Sequence, residues 1–209
     1  MRTDGTGGKS SDRSTVYRKT RFPGGEGTAK MAKILVAYAS ANGMTRACAE
    51  RLAGELKTTE TVLWDLAEGQ PDRQGADLLI VGSPVRHGKL LPAAKTLLND
   101  LAKENEGGPV GVFLCCGFSD RFGDYRDRLI PATVRERAFL ISDFGGTLDP
   151  SRKPFWDRLW LFFARSRVVE SEIEDGEYTP ILPGMNPESI GQMAEFAKKQ
   201  LSSREKDEK

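Results

Sequence analysis

The chain has 209 residues, of which 38% are apolar and 29% charged, and its 31 basic residues are balanced by 30 acidic ones. This composition suits one sizeable α/β domain with tails, excludes global disorder and leaves no overall electrostatic footprint for nucleic acid. Cys48, Cys115 and Cys116 form no CxxC spacing and, with the single histidine His87, make a poor zinc set. They read as reduced, buried thiols of a cytoplasmic protein, with no metal site.

Residues 1–31 are polar and rich in Gly and Arg. They lack the apolar core of a secretory signal, and Asp4, Asp12 and Glu26 argue against an organelle transit peptide. With Met31 directly before the first apolar run, residues 1–31 are expected to be a disordered extension, 32–203 one domain, and 204–209 a disordered tail. No apolar run approaches the roughly 20 residues that cross a bilayer.

Lys33–Ala39 is almost continuously apolar, as a strand buried on both faces of a parallel sheet must be. Thr45–Lys57 follows with Ala49, Leu52, Ala53 and Leu56 at helical spacing. Thr61–Asp65 predicts a second strand and Ala76–Pro84 a third, stopped by Gly-Ser-Pro. Leu91–Lys103 predicts a helix with Pro92 in its first turn. Gly108–Gly117 predicts a fourth strand, Asp124–Arg137 a charged helix and Ala138–Gly146 a fifth strand. Pro187–Leu201 predicts a closing helix with Ile190, Met193, Ala194 and Ala197 on one face. Strands alternating with helices predict a doubly wound parallel sheet, and five strands fit the order 2-1-3-4-5. Thr147–Pro183 is too long for a plain connection and is expected to be an insertion before the last helix. Cys115 and Cys116, being adjacent on a strand, should face opposite sides of the sheet.

The turn from the first strand into the first helix reads Ser40-Ala41-Asn42-Gly43-Met44-Thr45. Gly43 allows close approach of a ligand and a positive φ. The hydroxyls of Ser40 and Thr45, the Asn42 amide and the N–H groups at the helix start are all donors to phosphate oxygens. Such a turn can hold a phosphate monoester by neutral donors and the helix dipole, with no basic side chain. The loop has neither the Lys of a P-loop nor a GxGxxG, which disfavours nucleotide hydrolysis and NAD. A plain Ser/Thr-capped helix is the structural alternative.

In Ser40, Gly43 and Thr45 this loop resembles the phosphate loop of the flavodoxin family, with Asn42 standing where Thr is more usual. The resemblance implies a flavodoxin-like doubly wound sheet and FMN as cofactor, its phosphate on residues 40–45. It further implies that Ser83, Pro84, Val85, Arg86, His87 and Gly88 line the flavin ring after the third strand, and Cys116, Gly117 and Phe118 after the fourth. Phe118, Phe122 and Tyr125 each qualify to cover the ring's other face or to pack the helix that follows.

A narrower resemblance is to the FMN-containing, quinone-dependent protoporphyrinogen dehydrogenases and their flavodoxin-domain relatives. It is carried by Ser83-Pro84-Val85-Arg86-His87-Gly88, by Phe144-Gly145-Gly146, and by Phe155-Trp156-Asp157-Arg158. His87 stands where that family has Tyr, and the loop after the fourth strand is shorter. This resemblance implies oxidation of protoporphyrinogen IX to protoporphyrin IX in heme biosynthesis, with a quinone as acceptor and the propionates on Arg86 and Arg121. It assigns no catalytic acid or base. Residues 152–167 combine bulky aromatics with Arg and Lys, a pattern that suits the inner face of a membrane, a pocket wall or packing over the sheet edge. An electron carrier docking on redox partner proteins is the alternative function.

Overall fold

A computed structural model describes residues 32–56, 59–104, 108–146 and 184–207, with the side chains of 205–207 excepted. The expected extension, the segment 147–183 and the motif Phe155–Arg158 lie outside the described residues. In chain order the elements are β1 (Lys33–Tyr38), α1 (Met44–Glu55), β2 (Glu60–Asp65), β3 (Leu78–Arg86), β4 (Lys89–Leu90), α2 (Pro92–Lys103), β5 (Val110–Cys115), α3 (Phe122–Leu129), α4 (Ala132–Arg137), β6 (Ala138–Asp143) and α5 (Pro187–Asp207).

The five long strands are parallel and ordered β2-β1-β3-β5-β6, which is the expected 2-1-3-4-5 arrangement, with the short β4 paired to β3 alone. Alternation along each strand divides the core in two. Ile34, Val36, Leu78, Ile80, Phe113 and Cys115 face α1 and α5, whereas Leu35, Ala37, Leu79, Val81, Val112 and Cys116 face the layer containing α2 and α4. Each fully buried Leu, Ile or Phe contributes about 1.5–3 kcal/mol, so the two faces together outweigh any single polar contact. Cys115 and Cys116 do fall on opposite faces. The predicted α5 stripe of Ile190, Met193, Ala194 and Ala197 is buried. Among the described residues no helix is long and apolar enough to cross a membrane.

Three boundaries differ from the expected ones. β3 does not stop at Gly-Ser-Pro but runs on to Arg86 and folds back onto β4. Pro84 is tolerated because the N–H it lacks would point toward β1, which has already ended: the last contact on that side is Ala39 N–H to the Gly82 carbonyl, 2.9 Å. The helix expected over Asp124–Arg137 breaks at Ile130-Pro131, where proline restricts the residue before it and caps α4 instead. The closing helix passes Leu201 and continues to Asp207, into the expected tail.

Candidate functional site

The carboxyl edge of the sheet gathers the loops after β1, β3, β5 and β6. In the first loop the chain leaves β1 at Tyr38 and enters α1 through Gly43, whose φ of +88° only glycine adopts without strain. A Cβ at Gly43 would meet nothing within 4 Å, so the outer side of the turn is open. Ser40 Oγ accepts the N–H groups of Gly43 (3.1 Å) and Arg46 (3.4 Å), and Asn42 Oδ1 accepts that of Met44 (3.2 Å). Both side chains therefore act as acceptors within the loop, the use that the plain capped-helix alternative expects of the Ser40 hydroxyl. Their donor halves, the Ser40 hydroxyl proton and the Asn42 amide protons, have no partner among the described residues and can serve an outside oxygen. Ala41 is exposed, and Met44 packs against the α1 face of the core.

Thr45, in the first turn of α1, is fully buried, and its Oγ1 has no hydrogen-bond partner among the described residues. A buried hydroxyl left unpaired costs about 1–3 kcal/mol, and an oxygen-rich ligand at the helix start would remove that cost. Open space at Gly43, a buried hydroxyl without a partner among the described residues and an uncharged donor set fit a phosphate monoester of the kind FMN carries.

The second loop is a hairpin. His87 (φ +51°) and Gly88 (φ +69°) are its two central residues, the signature of a type I′ turn. The short loop expected to line the flavin ring is thus a two-residue hairpin tip, with His87 exposed at its end. Ser83 is buried and ties the hairpin together: its hydroxyl donates to the Pro84 carbonyl (3.1 Å) and accepts the Leu91 N–H (3.3 Å). Pro84 is buried, Val85 packs into the α2-side core, and Arg86 is half-buried at the base of the tip.

The third loop begins at Cys116, with Gly117 and Phe118 half-buried after it and Arg121 exposed in a 3-10 turn. Arg128 of α3 donates to the Gly88 carbonyl at 3.3 Å, linking this loop's helix to the hairpin tip. Asp143, the last residue of β6, accepts the N–H groups of Cys116 (3.3 Å) and Gly145 (2.9 Å) on one oxygen. Burial, followed by the Asp143 carboxylate, pushes the Cys116 thiol far up from its ordinary value. A Cβ on Gly146 would stand 2.6 Å from the Cys116 carbonyl, and one on Gly145 2.0 Å from that of Gly184. The chain therefore leaves β6 and rejoins the fold at Gly184–Met185 at one place, beside the third loop.

Tyr38, Arg46, Asp65, Arg128 and Asp143 were not among the sequence-derived candidates. Two carried a readable signal, since Asp65 and Asp143 each close a strand at the edge where parallel sheets bind ligands. Cys115 also acquires an unforeseen neighbour. Its thiol lies 3.8 Å from that of Cys48, and this contact with burial drives the Cys115 thiol well above its usual range. Away from these loops, a cavity of about 390 Å³ opens near the start of β6, with Arg126 and Arg135 in its wall. Both arginines pair with Asp127, and Glu136 lies in the same wall.

A family profile described as flavodoxin domain matches residues 35–167. No curated protein matches the chain in sequence. Among solved structures, flavodoxin from Fusobacterium nucleatum bound to flavin mononucleotide is 17% identical, with 81% of this chain and 99% of that one covered and a TM-score of 0.47. Oxidised flavodoxin 1 from Bacillus cereus is 16% identical over 68% of this chain and all of its own, with a TM-score of 0.41. The flavodiiron core from Synechocystis is 21% identical over 56% of this chain, which spans 31% of its length, with a TM-score of 0.43.

Proposed function

Starting from the chain's membership of the flavodoxin family, we propose that it binds FMN at the carboxyl edge of its sheet and passes electrons through it. The observation that carries this reading is the Thr45 hydroxyl, buried in the first turn of α1 without a hydrogen-bond partner among the described residues, two positions after the open Gly43 turn. FMN, when bound, supplies one- and two-electron chemistry through its ring. The Ser40 hydroxyl, the Asn42 amide and Thr45 Oγ1 hold the phosphate by donation, and Gly43 gives it room. The hairpin tip and Gly117–Phe118 bound the ring's space, kept in place by Ser83, Arg128 and Asp143. As an electron carrier, the protein would dock on redox partner proteins with this edge.

A second, finer reading is oxidation of protoporphyrinogen IX with a quinone acceptor. It is favoured by the Ser83–Gly88 and Phe144–Gly146 matches and by the return of the chain at Gly184 beside the third loop. Arg86 and Arg121 lie on the second and third loops, as carboxylate-binding groups would. Their role, and membrane contact through 152–167, belong to this proposal.

Purification tests both. The full chain is expected to be yellow and to release FMN on denaturation; a colourless protein that takes up no FMN overturns the first reading. Anaerobic bleaching of the bound flavin by protoporphyrinogen IX, with recovery on adding menadione, supports the second. Flavin that bleaches with reduced partner proteins and not with the porphyrinogen leaves the carrier.

A further inference from the structure

Beside the first loop, three chain segments bring a charged cluster to the edge of the phosphate site. Tyr38 ends β1, Asp65 ends β2 opposite it in register, and Arg46 lies in the first turn of α1. Arg46 is tied to the loop through its backbone N–H on Ser40 Oγ, 3.4 Å. Its guanidinium is engaged by Asp65, with Nη2 2.6 Å from Oδ2, and the Tyr38 hydroxyl lies against it. The two partners are unequal. The Asp65 side chain is 14% exposed and also caps the next turn, its Oδ1 accepting the Ala67 N–H at 3.0 Å, whereas the Arg46 side chain is 51% exposed. The carboxylate is the fixed member and the guanidinium the movable one.

This arrangement has a consequence for an anion at the start of α1. Arg46 is the first cation after the loop, and its own N–H belongs to the group of amides at the helix N-terminus. A guanidinium within reach of a phosphate ester forms strong, bidentate, charge-assisted hydrogen bonds with it. We propose that Asp65 sets the affinity of the site for a phosphate ester by holding Arg46 away from it. The inference rests on the FMN reading above and deepens it. Asp65 acts as a built-in competitor: its anionic charge is already in place, so an arriving phosphate must displace it to recruit Arg46. The ester then stays on neutral donors, and its binding depends only weakly on ionic strength.

The test titrates flavin-free full-length protein with FMN and, separately, with riboflavin, following flavin fluorescence. Titrations are made at ionic strengths of about 0.01 and about 0.15 M, between which the Debye length falls from about 30 to about 8 Å. Asp65→Asn keeps the size of the side chain and an oxygen for the Ala67 N–H while removing the charge that holds Arg46. It is expected to bind FMN about tenfold more tightly at the lower ionic strength, to lose most of that gain at the higher one, and to bind riboflavin as the wild type does. Adding Arg46→Gln should remove the gain. FMN affinity that is unchanged or weaker in Asp65→Asn overturns the proposal, as does equal tightening of riboflavin. Should Asp65→Asn fail to fold, Arg46→Gln alone decides: affinity within about threefold of wild type supports a cation held off the ester, and a tenfold loss refutes it. If the wild type itself binds no FMN, the functional reading fails instead, a result distinct from all of these.

Discussion

Thr45→Val separates a phosphate-binding hydroxyl from a core-packing one, because the two roles give opposite signs in two measurements. The substitution keeps the β-branched shape and nearly the volume, and Val and Thr have similar helix propensities. The wild-type Oγ1 is buried with no hydrogen-bond partner among the described residues, a burden of about 1–3 kcal/mol in the flavin-free protein. The Cys115 thiol is close enough to feel the hydroxyl, and this weak neighbour places the figure near the lower end. Flavin-free Thr45→Val should therefore be about 1 kcal/mol more stable, a rise of roughly 2–4 °C in Tm for a chain of this size. A hydrogen bond to a charged phosphate contributes about 1.5–3 kcal/mol, so the same variant should bind FMN about 10- to 150-fold more weakly. Thr45→Ser should keep most of the affinity. Differential scanning calorimetry of the stripped protein and FMN titration together give the answer. A variant that loses stability without losing FMN affinity would refute the reasoning, since Thr45 would then be a packing residue.

Gly82→Ala is expected to destabilise the fold by about 1–3 kcal/mol in urea titrations, because the new Cβ would lie 2.1 Å from the Phe113 ring, which stacks on Phe144 at 4.3 Å. The Arg73–Glu104 pair, with Nη1 to Oε2 at 3.1 Å, holds the Glu104 carboxyl below its ordinary range. A depressed carboxylate stabilises above its unfolded value, about 4.3, and that contribution disappears as the pH falls through the lower folded value. Because the two side chains are 35% and 34% exposed, solvent screens the pair, and Glu104→Gln should flatten the acid limb of stability by only a few tenths of a kcal/mol. An acid limb unchanged in Glu104→Gln would count against the pair's contribution. Cys48, Cys115 and Cys116 are all buried, and Cys115 and Cys116 have raised pKa values. A disulfide reagent at neutral pH should label the native protein no faster than it opens; immediate reaction of one thiol per chain would show a accessible site the fold does not provide.

Much of the fold was legible because its strands are buried on both faces, which leaves apolar runs that any reader of Lys33–Ala39 or Gly108–Gly117 detects. The helix faces were equally plain, since Ile190, Met193, Ala194 and Ala197 must share one side of a 3.6-residue period. What the sequence hid depended on neighbours. Whether Pro84 ends a strand turns on where β1 stops, and nothing local to Pro84 states that. His87-Gly88 becomes a tight turn only once Val85 and Arg86 pair with Leu90 and Lys89. Pro131 itself signals the break, but charged residues on both sides keep a helical rhythm across it. In the first loop, the positive φ of Gly43 was legible from its residue type, whereas the acceptor use of Ser40 and Asn42 depended on where the backbone N–H groups fall. Asp65 and Asp143 were readable only as strand ends, since their partners Arg46 and Cys116 lie 19 and 27 residues away.

Those distant acids explain how a loop without a basic side chain can serve an anion. Each loop at the carboxyl edge is linked to another by a group that does not belong to the phosphate site: Asp65 to Arg46, Arg128 to the Gly88 carbonyl, and Asp143 to both Cys116 and Gly145. The links fix the loops before any ligand arrives, so little ordering entropy is lost on binding. Neutral donors that are already in place, at the positive end of α1, then suffice where a mobile cation would otherwise be needed. The same logic makes the Asp65 carboxylate more than a cap. On the proposed reading it holds Arg46 off the phosphate while fixing the turn that follows β2, and the two effects separate in Asp65→Asn, which keeps the cap and releases the charge.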